Sequence, residues 1–556
     1  MPPTPLVIGP LLRHTDTTSA VIWVEVAARA TVTVHIGEDS WSAPTFAAHG
    51  HHYAIVDVDG LQAGSSQAYT VTVDDELVWP MTTGDHAGMP PSRIRTLDPS
   101  RPLRFSFGSC RTSVPHDAQT NGTHGIDVLR ALSLRLMRSD EADRPDFVLF
   151  LGDQVYADET SDEMQEFIAS RRSLEEPPGI ELKDFEEYAH LYALAWSDPA
   201  NRWLLATLPS AMMFDDHDIR DDWNTSRAWR DKMRATSWWN GRIVGGLGSY
   251  WIYQHLGNLS PADRDEDEMW QCVMELRARG EDDISDQLDA FAERVDEYPD
   301  GYRWSFAREL DRSRLVVIDS RAARVLDPGA RRMLDESEAE WLDEWMRGDV
   351  DQLFIGTTLP YLLPMGLHEF EAWNEAVSDG VWGQRVSAVG EKIRQGVDLE
   401  HWASFQESFR RLAKRVTEIA DGKHGVAPSA VTFLSGDVHN SYVAVVDRGP
   451  GIGGSAILQA VCSPIRNPLP RWVRMGQSLT SKRPAVAVAR FLSRRAKVPA
   501  PPFTWSISDG PWFDNMLATV EVDGPDLDIR WAVAHGADDA IPTVRVAYAF
   551  SLPRAE

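Results

Sequence analysis

The chain is short of cysteine and of positive charge, and it has no long apolar run. Its three cysteines, Cys110, Cys272 and Cys462, are scattered over 556 residues. An odd, unclustered set excludes a disulfide framework and is compatible with the cell interior. Lysine and arginine number 55 against 84 acidic residues, giving a formal charge of −29 and a pI near 4.9. A stable complex with nucleic acid is not expected, because non-specific binding needs a basic footprint to release counterions. No stretch reaches the roughly 18 apolar residues of a membrane-spanning helix. The start, MPPTPLVIGPLLRHTD, shows no basic region, sustained apolar stretch or early Arg-Arg pair, so neither a Sec nor a Tat signal is visible. A cytoplasmic protein is the expectation on that ground.

What is present reads as folded and composite. Hydrophobic residues make up 43% and charged residues 25%, and the length exceeds what one core usually serves, so two or more structural units are expected. Residues 1–95 alternate β-branched and polar residues in SAVIWVEV, ATVTVHIG, YAIVDVDGL and AYTVTVDDELVW, which predicts a small fibronectin-like β-sandwich. A Pro-rich connector, MPPSRIRTLDPSRP, follows. Residues 100–556 then alternate short apolar runs (LRFSFGSC, DFVLFLGD, SAMMFDDHD, LVVIDSR, LFIGTT, VTFLSGDVH) with helical periodicity, the pattern of an α/β domain.

Three stretches depart from that pattern. Residues 220–330 read as an insertion whose aromatics, in SWWNGRIVGGLGSYWIYQHLGNLSP, suit either a wall over a site or core packing. Within it, residues 261–300 hold fifteen acids against four arginines, as a solvated face would. Residues 470–556 join a basic segment, with eight Lys or Arg and no acid over 471–498, to a β-rich tail. The basic run could lie against an anionic surface, pair with the acidic run, or attract phosphate.

The side chains able to hold metal fall directly after apolar runs: Cys110; Asp153 with Tyr156; Asp215 to Asp218; Asp437 with His439. Ligands of open α/β sheets gather outside the carboxyl ends of strands. Taken singly, Cys110 also fits a small buried hydrophobe, Asp153 a turn and Tyr156 a packing aromatic. Asp215-Asp216-His217-Asp218 is harder to place without a partner, since three carboxylates after a buried strand repel one another unless cations or hydrogen bonds compensate. Asp437 and His439, two apart in an extended segment, point the same way.

The motifs FSFGSC, FLGDQVYADE, MMFDDHDIRDDWN and LSGDVHNSYVA resemble, in order and kind, those of the PhoD-type alkaline phosphatases, within the calcineurin-like metallophosphoesterase superfamily. The likeness runs from about residue 103 to 470. It implies an αββα sandwich with metals at its strand ends and a β-module before it. Carried over, it makes Asp153 a carboxylate bridging two metals, gives Cys110, Tyr156 and His439 to one metal, and gives Asp216 and Asp437 to the other. A phenolate ligand implies a trivalent ion, Fe3+, while the carboxylates suit Ca2+, or Mg2+ or Mn2+. His217 would face the phosphoryl group as acid or transition-state donor, with Asp218 orienting it. Arg111 is a candidate phosphate clamp, with a structural salt bridge as the alternative.

The function these readings imply is hydrolysis of a phosphomonoester or phosphodiester, small or lipid-like, by a metal-activated water. Two other readings stay open: a binding protein that retained the fold, and a metal-dependent hydrolase of non-phosphate esters.

Overall fold

The structure is a computed structural model that describes residues 5–449, 454–470, 474, 482–536 and 541–552. Before residue 80, two four-stranded sheets enclose a common core. One contains Leu6–Thr15, Ala20–Val26, His51–Val58 and Phe46–Ala48; the other contains Asp39–Pro44, Thr31–Ile36, Thr70–Val73 and Glu76–Trp79. The strand Ala20–Val26 is buried along its whole length because both its faces are covered. Ala20, Ile22, Val24 and Val26 fill the sandwich, while Val21 and Trp23 on the alternate face join the core of the larger unit.

That larger unit is built on two sheets. The first has the order Ser210–Met213, Phe147–Leu151, Leu103–Gly108, Met516–Asp523, Asp526–His535, Thr543–Ser551; its first three strands are parallel. The second runs Phe306–Leu310, Ser313–Ile318, Gln352–Thr357, Ala430–Ser435, Ala456–Val461, Ser441–Asp447, Thr504–Trp512, with four parallel strands in its middle. Alternation along each strand makes the layers. Leu315, Val317 and Phe354 face the other sheet, where Phe354 meets Phe105 edge-on at 5.3 Å. Val316, Ile318, Leu353 and Ile355 face outward against the helices Glu336–Trp345 and Gln406–Ala420. The helix Val128–Leu136 packs on the outer side of the first sheet. The αββα sandwich implied by the motifs is therefore the architecture observed.

One segment reading is corrected. The strands Phe306–Leu310 and Ser313–Ile318 belong to the second sheet, so residues 220–330 are not wholly an insertion. The β-rich tail completes both sheets, with Met516–Asp523 paired to Leu103–Gly108. The aromatics of residues 238–253 are core, not a wall: Trp239, Trp251 and Tyr253 are buried, and Tyr253 lies 5.4 Å from Trp23 of the sandwich. The basic run lies partly outside the described residues; its helix Arg483–Arg495 ties to Glu369, not to residues 261–300. No helix among the described residues is long and apolar enough to cross a membrane.

The sandwich also reaches toward the strand ends. Arg13, fully buried, donates from Nη2 to Gln254 O at 2.5 Å and to Asn258 Oδ1 at 3.3 Å, and from Nη1 to Ser210 Oγ at 3.2 Å. Trp23 packs edge-on against Trp196 at 6.5 Å. Trp23→Ala should lower stability by about 3–5 kcal/mol, the usual cost of deleting a large buried aromatic. Chemical unfolding checks it; an unchanged midpoint would mean that the two units are not packed together as described.

Candidate active site

Seven loops leave the carboxyl ends of the parallel strands, and those after Gly108, Leu151, Met213, Ile318 and Ser435 converge. The chain turns sharply there. Cys110, Asp153, Asp437 and His439, none of them glycine, have φ of 57°, 50°, 61° and 49°. Left-handed backbone at non-glycine residues costs of order 1 kcal/mol each and concentrates at functional sites. Two glycines let the loops meet. A Cβ on Gly152 would lie 2.6 Å from Asp215 Cβ, and one on Gly436 would lie 2.1 Å from Ser109 Oγ.

Six of the nine sequence-derived residues form one cluster. Ligand atoms of Cys110, Asp153 and His439 lie within 4.8 Å of one another, as do those of Asp153, Asp215 and Asp216, and those of Asp216, Glu400 and Asp437. Tyr156 OH is 3.4 Å from Asp153 Oδ2. Cys110 Sγ receives Ser463 Oγ at 3.2 Å and sits 3.1 Å from Ser109 Oγ. Burial, then the charges of Asp153 and Asp437, push the Cys110 thiol well up, and burial does the same to the Tyr156 phenol. Burial also raises Asp153 well above the carboxylate range.

The histidines in and beside the cluster, His439 and His217, differ. His217 Nδ1 lies 2.9 Å from Asp158 Oδ1. Burial alone would depress its pKa, but Asp158 and Asp216 outweigh that and raise it well above the usual value. Asp158 in turn is held at about 2: burial opposes ionisation and the His217 imidazolium overcomes it. His439 goes the other way, down to about 4, through burial and then repulsion from His217. The flanking carboxylates thus favour the charged form of His217, while burial favours the neutral imidazole of His439, the form that metal ligation requires.

Two roles read from the sequence do not survive the geometry. Asp218 does not orient His217; its Oδ2 accepts the backbone N–H of Asp153 at 3.0 Å and of Asp215 at 2.8 Å, and its Oδ1 accepts Gln254 Nε2 at 3.1 Å. Asp158 does the orienting, and it stood in view inside FLGDQVYADE. Arg111 is not free to clamp phosphate: Nε and Nη2 each lie 2.9 Å from Asp127 Oδ2, and Nη1 donates to Ala195 O at 3.1 Å. The salt-bridge alternative is the observed one.

The guanidinium at the centre is Arg321, fully buried. It touches Asp215, Asp216 (3.0 Å), Glu400 (2.5 Å) and Asp437 (3.5 Å). Its signal was the Arg that ends LVVIDSR, directly after a buried strand at the same sheet edge. Glu400 and His401 follow no apolar run and carried no such signal. Glu400 is held at about 2, burial being outweighed by Arg321 and Arg324. His401 lies 2.8 Å from Glu371 and 3.3 Å from Asp437.

The residues fit a cation. Among the described residues, Asp153 Oδ1 and Asp215 Oδ2 are buried with no hydrogen-bond partner, an expensive state for a carboxylate unless a positive charge stands in for water. Thiol, phenol, imidazole and carboxylate together make a donor set able to hold both a hard trivalent and a divalent ion. A cleft of about 960 Å³ opens beside the cluster, lined by Asp158, His116, His124 and Asn467.

Comparison with known proteins agrees. Residues 131–270 match the family model described as PhoD-like phosphatase, and residues 3–94 match one described as Domain of unknown function (DUF7800). A solved structure described as "Structure of PhoD" superposes with a TM-score of 0.61 at 12% identity, covering 99% of this chain and 91% of that one, which shows a shared fold. The type III pullulan hydrolase from Thermococcus kodakarensis reaches a TM-score of only 0.14 and carries no argument. No curated protein matches at a significant level. The fold and the family match support a phosphoric ester hydrolase. More narrowly, they support a PhoD-type, metal-binding alkaline phosphatase.

Arg111→Met should cost about 3–5 kcal/mol, because it strands Asp127 as a buried unpaired charge. The double variant Arg111→Met/Asp127→Leu should recover most of that loss. Burial raises the Asp127 pKa, but Arg111, His116 and Arg466 together outweigh it, so it ends below its ordinary value. The pair's contribution is thus complete above about pH 4 and fades as pH falls further. A KM defect that persists in the stable double variant would return Arg111 to the phosphate. Gln254→Leu tests the contact beneath the candidate-site loops: with Asp218 less well held, we expect metal affinity to fall roughly 10-fold or more, as for partners behind metal ligands. Unchanged affinity by metal titration would mean that this contact only packs.

Proposed function

We propose that the chain hydrolyses small or lipid-like phosphomonoesters or phosphodiesters at a site holding two metal ions. The observation that carries this reading is the buried, partnerless carboxylate oxygen of Asp153, a residue whose ligand atom lies within 4.8 Å of those of Cys110 and His439 in one group and of Asp215 and Asp216 in another. In this reading Asp153 would serve both ions, and Cys110, Tyr156 and His439 would hold one, for which Fe3+ fits the phenol. Asp216 and Asp437 hold the other, for which Ca2+ fits, with Mg2+ or Mn2+ also suited to oxygen ligands. Glu400, within reach of both carboxylates, is an added candidate. Bound cations would supply Lewis acidity toward the phosphoryl oxygens and lower the pKa of an attacking water.

The chain's own residues do the rest. Protonated His217 donates from Nε2 toward the phosphoryl group or the departing oxygen, while Asp158 fixes its ring through Nδ1 and stabilises its charge. Arg321 holds Asp216 and Asp437 in place and offsets their repulsion. The cleft beside Asp158 gives the leaving group room.

His217→Ala should keep its metal while losing roughly 10²–10⁴ in turnover, more for an alkyl phosphate than for nitrophenyl phosphate, whose leaving group departs without a proton. His439→Ala should lose metal first. Metal content and leaving-group dependence of both variants decide it: metal lost from the first and kept by the second reverses the roles, and full activity in both refutes the site. Iron-loaded protein should also show a broad visible band from Tyr156-to-iron charge transfer, absent in Tyr156→Phe; a band that survives the substitution removes Tyr156 from the metal.

A further inference from the structure

The helix Arg483–Arg495 turns apolar residues away from the protein. Its inner side is small: Ala489 and Ser493 are buried against the helix Met365–Ser378, where Ser493 Oγ donates to Glu369 at 2.5 Å. On the outer side, Val488 and Phe491 are 60% and 57% exposed. They are three residues apart and so share a face. Val381 and Trp382, 48% and 38% exposed, stand at the end of the same helix, because Trp382 Nε1 donates to Arg495 O at 3.4 Å. The Arg495 guanidinium lies 5.2 Å above the Phe491 ring. The result is an apolar strip edged by cations.

The charge around that strip runs against the rest of the chain. Residues 482–498 carry Lys482, Arg483, Arg490, Arg494, Arg495 and Lys497 and no carboxylate, in a protein of formal charge −29. Arginine in a last helical turn complements the helix dipole, which accounts for Arg494 and Arg495 but not for an exposed Phe491 between them and Val488. A second copy is a poor occupant, since a two-fold contact sets this patch against itself and brings like charges together. Bulky apolar side chains flanked by arginine and lysine match the boundary of an anionic bilayer, where rings enter the interface and cations meet lipid phosphates.

We propose that this face docks on the surface of an anionic lipid bilayer, with Val488, Phe491 and Trp382 entering the interface and Arg483, Arg494, Arg495 and Lys497 contacting headgroup phosphates. The helix beneath it, Met365–Ser378, also carries Glu371, which holds His401 against Asp437. Docking would therefore set the candidate active site one helix away from the lipid.

Co-sedimentation with vesicles tests this without relying on catalysis. Vesicles of phosphatidylcholine mixed with phosphatidylserine should retain the protein at low salt, and phosphatidylcholine alone or high salt should release it. Val488→Ser/Phe491→Ser and Arg494→Glu/Arg495→Glu should each lower the partition coefficient at least about tenfold, given roughly 1 kcal/mol per surface cation and the apolar area lost. Circular dichroism reports whether each variant stays folded, and either folded variant suffices. No retention of the wild type, equal retention on neutral lipid, or wild-type retention of a folded variant overturns the proposal. So does a dimer, seen by sedimentation, that Val488→Ser/Phe491→Ser dissolves, because the face would then belong to a second copy.

Discussion

Four carboxylates from three chain segments meet around one buried guanidinium, and the centre of the molecule depends on that contact. Asp215 and Asp216 follow one strand, Asp437 follows another, Glu400 comes from a helical connection, and Arg321 touches all four from a fourth segment. The loop that presents Arg321 is itself fixed, since Asp319 accepts the backbone N–H groups of Arg321, Ala322 and Ala323. Like charges this close cannot all remain ionised in a low-dielectric interior without compensation. One arginine supplies part of it, and Arg324 on Glu400 adds to it. Asp153, beyond Arg321's reach, keeps a partnerless oxygen, and there the case for a bound cation is strongest.

The fold makes such a cluster possible by separating scaffold from chemistry. Strands buried on both faces hold the loop origins rigidly, and the loops absorb the strain in left-handed residues that the strands could not accommodate. The amino-terminal sandwich takes part in this support. Arg13 grips the backbone of Gln254, whose side chain holds Asp218, and Asp218 receives the N–H groups of Asp153 and Asp215. A module matched only to a domain of unknown function thus stands two contacts behind the loops of the candidate site.

Much of this was legible in the sequence because strand ends announce themselves. Apolar runs closing on Gly, Asp or Cys gave the sheet edge and six residues of the cluster, with the FLGDQVYADE and GDVH spacings bringing in Tyr156 and His439 among them. Partnership was not legible. Adjacency in DDHD invited Asp218 as the partner of His217, whereas a tight turn sends Asp218 to backbone amides and brings Asp158 from another loop. Arg111, next to Cys110, likewise points away to Asp127, because the chain has left the strand and turns through left-handed backbone at Cys110. Glu400 and His401 arrive from a helix end that has no periodic mark, so only tertiary structure reveals them.

The measurement that bears most directly on the central claim is metal content per chain, read together with phosphoester turnover before and after chelation. Two metal ions per chain, turnover abolished by chelation and restored by iron with calcium, manganese or magnesium, is the result expected of a carboxylate cluster that needs cations to function. Undiminished turnover from protein verified to be metal-free would contradict it.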